Sequence, residues 1–119
     1  MLKSVPALIE EVAGDVRIVD AATAKAECES RDGVVIDIRE PQEVDIKSAT
    51  GTVHVPRGLL EFKLPEIVPD HDRPLYLHCA SGGRARLGAD QLRRLGYTNV
   101  TAISCGIDTV CEVFADSRG

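Results

Sequence analysis

A short segment around Cys79 has the residue types of a reactive cysteine site. Cys79 follows the mostly apolar run 74–78, Gly82 and Gly83 come shortly after it, and Arg84 begins a segment with helical apolar spacing. A cysteine between a strand and a helix N-terminus is surrounded by backbone N–H groups, which stabilise an anion. The same groups favour the thiolate, the nucleophilic form of cysteine. The pattern therefore favours nucleophilic chemistry over the alternative of a buried structural cysteine.

Metal binding is the weaker interpretation of these residues. The sequence has no CxxC or HxxxH spacing, which metal sites commonly use. His78 and Cys79 are adjacent on a predicted strand, so their side chains point to opposite faces of the sheet. His54 and His71 are isolated, and we expect structural or surface roles for them. No metal ligand is assigned.

Helices and strands alternate along the chain, which explains how these residues would be positioned. Apolar periodicity and turn residues predict helices at 3–13, 21–30, 42–47, 59–68 and 84–95, and strands at 16–19, 34–38, 52–55, 74–78 and 100–103. Asp20 is the predicted N-cap of the second helix, and Pro65 predicts a break in the fourth. The alternation predicts a three-layer α/β domain with a mostly parallel five-stranded sheet and helices on both faces. Functional groups then collect beyond the carboxyl ends of the strands.

Length and composition limit the class of protein. A chain of 119 residues is expected to form a single domain, residues 1–119. A net charge of -5, two Phe, two Tyr and no Trp argue against nucleic-acid binding. No apolar segment is long enough to span a membrane, and no signal peptide is recognisable at the N-terminus. The four cysteines are therefore expected to be thiols in the cytoplasm.

Three motifs resemble the rhodanese-like family, specifically its single-domain sulfurtransferases. The most specific is the run YLHCASGGRA at 76–85, which is similar to the active-site loop of that family. The runs VIDIREP at 35–41 and HVPRG at 54–58 are similar to its DVREP and HIPRG segments. The resemblance covers nearly the whole chain and implies the rhodanese-like fold.

The length of the cysteine loop separates two chemistries within that resemblance. Four residues lie between Cys79 and Arg84, whereas relatives that are phosphatases or arsenate reductases have five. The tighter ring suits one sulfane sulfur. The resemblance thus implies a thiosulfate sulfurtransferase, in which Cys79 takes sulfur from thiosulfate or a similar donor as a persulfide. A thiol or cyanide then accepts the sulfur, without a metal or organic cofactor.

Their positions in the sequence, together with the resemblance, indicate roles for the residues around the cysteine. Asp37 and Arg39 are expected beside the loop, either supporting it or forming a local ion pair. Cys105 ends the last predicted strand at the same edge, where it is either a second thiol or a small buried residue. The expected substrate-binding residues are Ala80, Ser81, Gly82, Gly83, Arg84 and Arg86.

Two segments depart from the family pattern and keep an alternative open. Residues 47–52 retain only Gly51 of a Gly-His-Ile-Pro-Gly-Ala segment, and residues 105–110 lack a glycine and a tryptophan of a Gly-Gly-x-x-x-Trp segment. Both changes would fit a catalytically silent interaction or regulatory module. The intact Cys79 and Arg84 favour the enzyme. The expected partners are a small sulfur donor and a thiol acceptor, with a protein acceptor left open, and neither nucleic acid nor membrane.

Overall fold

A computed structural model describes residues 2–115 and arranges them around one sheet of five parallel strands. In chain order the elements are α1 (Val5–Ala13), β1 (Arg17–Val19), α2 (Ala21–Arg31), β2 (Val34–Asp37), α3 (Pro41–Ile46), β3 (Val53–His54), a 3₁₀ turn (Arg57–Leu59), α4 (Leu60–Ile67), β4 (Leu75–His78), α5 (Gly83–Leu95), β5 (Val100–Ile103) and α6 (Ile107–Phe114). The strand order is β1-β5-β4-β2-β3. The predicted α/β fold with a parallel sheet is confirmed.

The register of the central strands brings their polar ends together. Asp37, the last residue of β2, pairs with His78, the last residue of β4. Because all strands are parallel, the loops after β2, β4 and β5 leave the sheet at the same edge. Cys79 follows His78 directly, so this edge carries the polar strand ends that the sequence singles out.

Two apolar clusters cover the two faces of the sheet. Strand residues alternate between them: Leu77 and Cys79 belong to the first cluster, and Tyr76 belongs to the second. The first cluster contains buried residues of α4 and α5, and the second contains buried residues of α2 and α6. Helices therefore lie on both faces, as predicted.

Local side-chain contacts set the helix ends. The Ser4 hydroxyl accepts from the Ala7 N–H at 3.2 Å at the start of α1. The Asp20 carboxylate accepts from the Thr23 N–H at 2.8 Å, which confirms Asp20 as the N-cap of α2. Among residues 2–115, no helix has the length and apolar character required to cross a bilayer.

The predicted break at Pro65 is wrong. Helix α4 continues past Pro65, and the Val68 N–H donates to the Leu64 carbonyl at 2.7 Å. A proline inside a helix removes one backbone hydrogen bond and costs about 3 kcal/mol. Leu60 and Leu64 lie on one face of α4 and are completely buried. Burial of this face outweighs the cost of the proline.

Helix α6 follows the last strand, where the sequence analysis predicts no further helix. Val110 and Phe114 are four residues apart and are both buried against α2 and the sheet. Asp108 lies in the first turn of α6, where its negative carboxylate interacts favourably with the positive end of the helix dipole. This spacing is a helical signal, but the helix is only 8 residues long and depends on its packing.

Candidate active site

The Cys79 sulfur lies inside the turn that connects β4 to α5. The residue is 0% exposed. Its Sγ accepts hydrogen bonds from the backbone N–H of Gly82 at 3.1 Å and of Ala85 at 3.3 Å. Ala85 belongs to the first turn of α5, whose 13 aligned peptide units direct their positive end toward the sulfur. The site is thus built to hold negative charge on sulfur.

Gly82 is required both by its backbone conformation and by a close neighbour. Its φ is +95°, a region that L side chains rarely adopt. A Cβ at this position would lie 3.0 Å from the Ser104 carbonyl oxygen. The next loop also closes on the turn, since the Ile107 N–H donates to the Ala80 carbonyl at 3.1 Å. The segment after β5 therefore fixes the shape of the Cys79 turn.

Arg84 does not stand free beside the sulfur. Its two Nη atoms donate to the two carboxylate oxygens of Glu43 in α3, at 2.8 and 2.9 Å. The hydrogen bonds from Arg84 lower the pKa of Glu43 to about 2, and the bonded carboxylate raises the pKa of Arg84. The expected anion-facing guanidinium is thus engaged by an acidic side chain.

The other expected loop residues lie at different depths. Ser81 is exposed, Ala80 and Gly83 are partly buried, and a Cβ on Gly83 would lie 3.1 Å from the Ile9 side chain of α1. Arg86 is partly buried, and its Nε is enclosed with no hydrogen-bond partner among residues 2–115. The structure therefore places all six expected substrate-binding residues in or next to the turn.

Asp37 and Arg39 form an ion pair below the site. The Arg39 Nη2 lies 2.8 Å from Asp37 Oδ2 and also donates to the Lys47 carbonyl at 2.6 Å. Burial alone would raise the pKa of Asp37, but the hydrogen bonds from Arg39 lower it. Arg39 Nη1 donates to the Glu43 carbonyl at 3.4 Å. The pair therefore anchors α3, which carries the partner of Arg84.

Two histidines lie close to this pair. His78 is completely buried, its Nε2 is 3.9 Å from Asp37 Oδ2, and neither ring nitrogen has a hydrogen-bond partner among the described residues. Burial lowers the pKa of His78, because charging the ring would cost solvation. His54 Nε2 lies 2.8 Å from the Arg39 carbonyl. His78 thus lies beside the carboxylate of the ion pair, and His54 contacts the backbone of its arginine.

Cys105 lies on the other face of the sheet from Cys79. Its Sγ accepts from the Ala21 N–H of α2 at 3.3 Å, and it packs against the second cluster. Cys79 packs in the first cluster. The two thiols share an edge of the sheet but are not brought onto one face. All four cysteines are free.

Potential metal ligands lie elsewhere. Asp70, His71 and Asp72 form the group of three found within residues 2–115, and all three are exposed. They precede β4, at the opposite edge of the sheet from Cys79. Nothing in this group contacts the turn that holds the sulfur.

Glu43 and Ser104 are the site residues that the sequence did not reveal. Glu43 lies in the predicted short helix, three residues after Glu40, whose N–H donates to Glu43 Oε1 at 3.0 Å. That spacing could have indicated a helix start. It carries no information about Arg84, which is 41 residues away. The contact of Ser104 with Gly82 depends on how two loops meet and has no local signal.

A sequence model of the rhodanese-like domain matches residues 20–112, most of the chain, including the whole Cys79 turn. The chain belongs to the rhodanese-like family. The resemblance that the three motifs indicated is therefore confirmed. Within this rhodanese-like domain, Val110 stands where the family commonly has tryptophan, and it is completely buried. The departure in that segment thus leaves a packed position.

Curated relatives of this rhodanese-like chain carry sulfurtransferase names. The tRNA sulfurtransferase of Desulfurococcus amylolyticus is 29% identical over 102 residues, covering 76% of this chain and 20% of that protein. The mitochondrial thiosulfate sulfurtransferase RDL2 of Saccharomyces cerevisiae is 31% identical over 77 residues, covering 56% of this chain and 52% of that protein. The chain thus spans about half or less of the length of these two relatives.

A solved structure matches the rhodanese-like domain over almost its full length. It is a protein of unknown function from Rhodopseudomonas palustris, described as a possible tyrosine phosphatase. It superposes with a TM-score of 0.82 at 26% identity, covering 94% of this chain and 92% of that protein. The likeness supports the fold.

Proposed function

We propose that this chain is a sulfurtransferase that moves a sulfane sulfur from thiosulfate or a similar donor to a thiol or to cyanide. The observation that carries the proposal is the position of Cys79 Sγ, which accepts hydrogen bonds from the backbone N–H groups of Gly82 and Ala85 at 3.1 and 3.3 Å. Membership of the rhodanese-like family and the sulfurtransferase names of two relatives support it.

In the first half-reaction the Cys79 thiolate attacks the outer sulfur of thiosulfate. A sulfur–sulfur bond forms on Cys79, the sulfur–sulfur bond of thiosulfate breaks, and sulfite leaves with the electron pair. The product is a Cys79 persulfide that carries one negative charge on its terminal sulfur. Backbone N–H groups of residues 80–85 are the donors that would stabilise that charge. Arg84 and Arg86 are proposed to bind the anionic donor and the departing sulfite.

In the second half-reaction an acceptor takes the terminal sulfur. A thiolate or cyanide attacks it, and the electron pair of the breaking bond returns to Cys79 as thiolate. The products are a persulfide of the acceptor or thiocyanate. Charge and atoms balance in both steps, so we propose a cycle that needs no metal or organic cofactor. The expected setting is the cytoplasm, where thiol acceptors are abundant.

Phosphatase or arsenate reductase activity is the second candidate, favoured by the description of the Rhodopseudomonas palustris protein. The length of the turn argues against it. Four residues separate Cys79 from Arg84, and the sulfur already accepts hydrogen bonds from two N–H groups on the helix side of that turn, those of Gly82 and Ala85. Such a ring suits one sulfur atom better than a tetrahedral oxyanion.

Intact mass spectrometry of the reduced protein tests the proposal. Incubation with thiosulfate should add one sulfur, and subsequent cyanide should remove it. Cyanide is needed because two added oxygens weigh nearly the same as one sulfur, and only the persulfide is cyanide-labile. Cys79→Ser should gain no sulfur. Cys28→Ser, which changes a thiol bonded to the Gly33 carbonyl, is the matched control and should behave like the unmodified chain.

Other outcomes point to the other candidates. If Cys79→Ser still gains a cyanide-labile sulfur from thiosulfate, Cys79 is not the sulfur carrier. If neither thiosulfate nor an alkyl persulfide loads the chain, but an aryl phosphate is hydrolysed, the phosphatase candidate replaces sulfur transfer. If none of these reactions occurs, the chain is a catalytically silent module of its family.

A further inference from the structure

The ion pair between Glu43 and Arg84 is held in place from both sides. Arg84 belongs to the first turn of α5, beside the N–H groups that contact the Cys79 sulfur. Glu43 Oε1 accepts from the Glu40 N–H at 3.0 Å in addition to its bond with Arg84. The backbone of Glu43 is bonded by the buried Arg39. The carboxylate is therefore a fixed part of the site rim.

This carboxylate offsets the charge that Arg84 would offer to an anion. The pKa of Glu43 is lowered to about 2 by its hydrogen bonds with Arg84, so it stays ionised at all ordinary pH values. The charge of Glu40 also acts on Arg84. These two carboxylates together offset the guanidinium charge of Arg84. The net charge of -5 of the whole chain adds a weaker repulsion of anions.

A small dianion approaching Cys79 thus meets a guanidinium whose two Nη groups are already engaged. To bind Arg84 it must either displace these two charge-assisted hydrogen bonds or use the remaining N–H groups of a guanidinium whose charge the adjacent Glu43 carboxylate already balances. A donor with no net charge does not need the guanidinium and is not repelled. The cost therefore increases with the negative charge of the donor.

We infer that Glu43 determines the donor selectivity of the Cys79 site by disfavouring dianionic donors such as thiosulfate relative to donors of low net charge, such as the persulfide of an aliphatic amine thiol. The inference rests on the proposed sulfur transfer at Cys79 and deepens it. With such a donor the outer sulfur forms a bond to Cys79, the sulfur–sulfur bond of the donor breaks, and the donor thiolate leaves with the electron pair.

Glu43→Gln is the decisive variant, because it removes the charge and keeps the size of the side chain. Asp45→Asn is the matched control, since Asp45 lies exposed on the same helix and loses the same charge. Persulfide formation is measured with thiosulfate and with cysteamine persulfide, which has no net charge. For Glu43→Gln we expect kcat/KM with thiosulfate to rise about five- to tenfold over that of the unmodified chain, mainly through a lower KM. Added salt should reduce this gain, because it screens the charges. With cysteamine persulfide the change should stay below about twofold.

Glu43→Asp separates charge from structure. It retains the carboxylate and should keep the donor ratio of the unmodified chain, even if both rates decrease. If Glu43→Asp and Glu43→Gln shift the ratio equally, or if Asp45→Asn reproduces the effect, Glu43 has no specific role and the inference is wrong. An unchanged ratio in Glu43→Gln overturns it directly.

Alkylation of Cys79 provides a readout that does not depend on sulfur transfer. Iodoacetate is an anion and iodoacetamide is neutral, and peptide mass spectrometry follows their reaction at Cys79 alone. The rate with iodoacetate divided by the rate with iodoacetamide should rise about two- to threefold in Glu43→Gln and stay constant in Asp45→Asn. If this ratio rises but no donor forms a persulfide, sulfur transfer fails while charge selection by Glu43 holds. If it stays constant while persulfides form, the selectivity inference fails alone.

Discussion

Arg39 Nη2 and Asp37 Oδ2 lie 2.8 Å apart in an ion pair whose side chains are 3% and 1% exposed. The guanidinium also donates to the carbonyls of Lys47 and Glu43, so the pair holds α3 against the carboxyl end of β2. Because Glu43 bonds Arg84, the buried pair positions the rim of the site without touching the Cys79 sulfur. Its contribution is structural support of that rim.

Arg39→Met should therefore destabilise the fold strongly. The substitution leaves the Asp37 carboxylate buried without its partner, which costs about 3–5 kcal/mol. Arg57→Met is the matched control, because its partner Glu61 and Arg57 itself are 32% and 29% exposed. Such a half-exposed pair contributes about 0–1 kcal/mol. Urea denaturation measures the free energy of unfolding of both variants. Equal decreases in the two would contradict a special role for the buried pair.

Gly82→Ala should impair the Cys79 turn, whereas Gly51→Ala should only reduce stability. Both glycines have positive φ, +95° and +78°. A Cβ at position 82 would also lie 3.0 Å from the Ser104 carbonyl, while one at position 51 meets nothing within 4 Å. The strain costs about 1–2 kcal/mol in each variant. We expect persulfide formation to fall up to about 10²-fold in Gly82→Ala alone, measured by intact mass over time.

Acidification should destabilise the fold through His78. Burial lowers its pKa in the folded chain below the ordinary value of 6.5. Below pH 6.5 the unfolded chain therefore binds the proton first, and the free energy of unfolding decreases by up to about 1.4 kcal/mol per pH unit. Urea denaturation between pH 7 and 5 measures this slope. His78→Leu should flatten it and His71→Asn, which changes an exposed ring, should not; a slope retained in His78→Leu would assign it to other groups.

Cys105→Ala should leave sulfur loading of Cys79 unchanged. The Cys105 sulfur accepts from the Ala21 N–H and packs on the opposite face of the sheet from Cys79. Rates of persulfide formation and of sulfur release to a thiol are the measurements. A release rate that falls about tenfold or more in Cys105→Ala would restore the interpretation of Cys105 as a second, sulfur-accepting thiol.

The turn around Cys79 could be predicted because its geometry is local. Residues 79–85 are consecutive, and the two N–H groups that contact the sulfur come from three and six residues further along the chain. A strand, a glycine-containing turn and a helix start suffice to place them. The same holds for the Asp20 cap of α2. It also holds for strands β2 and β4, since each is a mostly apolar run of four consecutive residues and such a run predicts a buried strand.

Contacts between distant segments could not be predicted in this way. The sequence assigned Arg84 to the donor, but the structure engages its guanidinium with Glu43. Cys105 was placed at the correct edge of the sheet, yet its face depends on the path of the chain after β5. Pro65 was expected to break a helix that tertiary burial of Leu60 and Leu64 keeps continuous.

The sequence by itself determined the α/β fold, the family and the turn that surrounds Cys79. These follow from hydrogen bonds between residues close in the chain, from the periodic spacing of apolar residues in short segments, and from a recognisable motif. Only the tertiary structure decided which charges face each other at the rim of the site. Side chains 41 residues apart meet because strand order and helix packing bring α3 beside α5, and no short segment encodes that proximity.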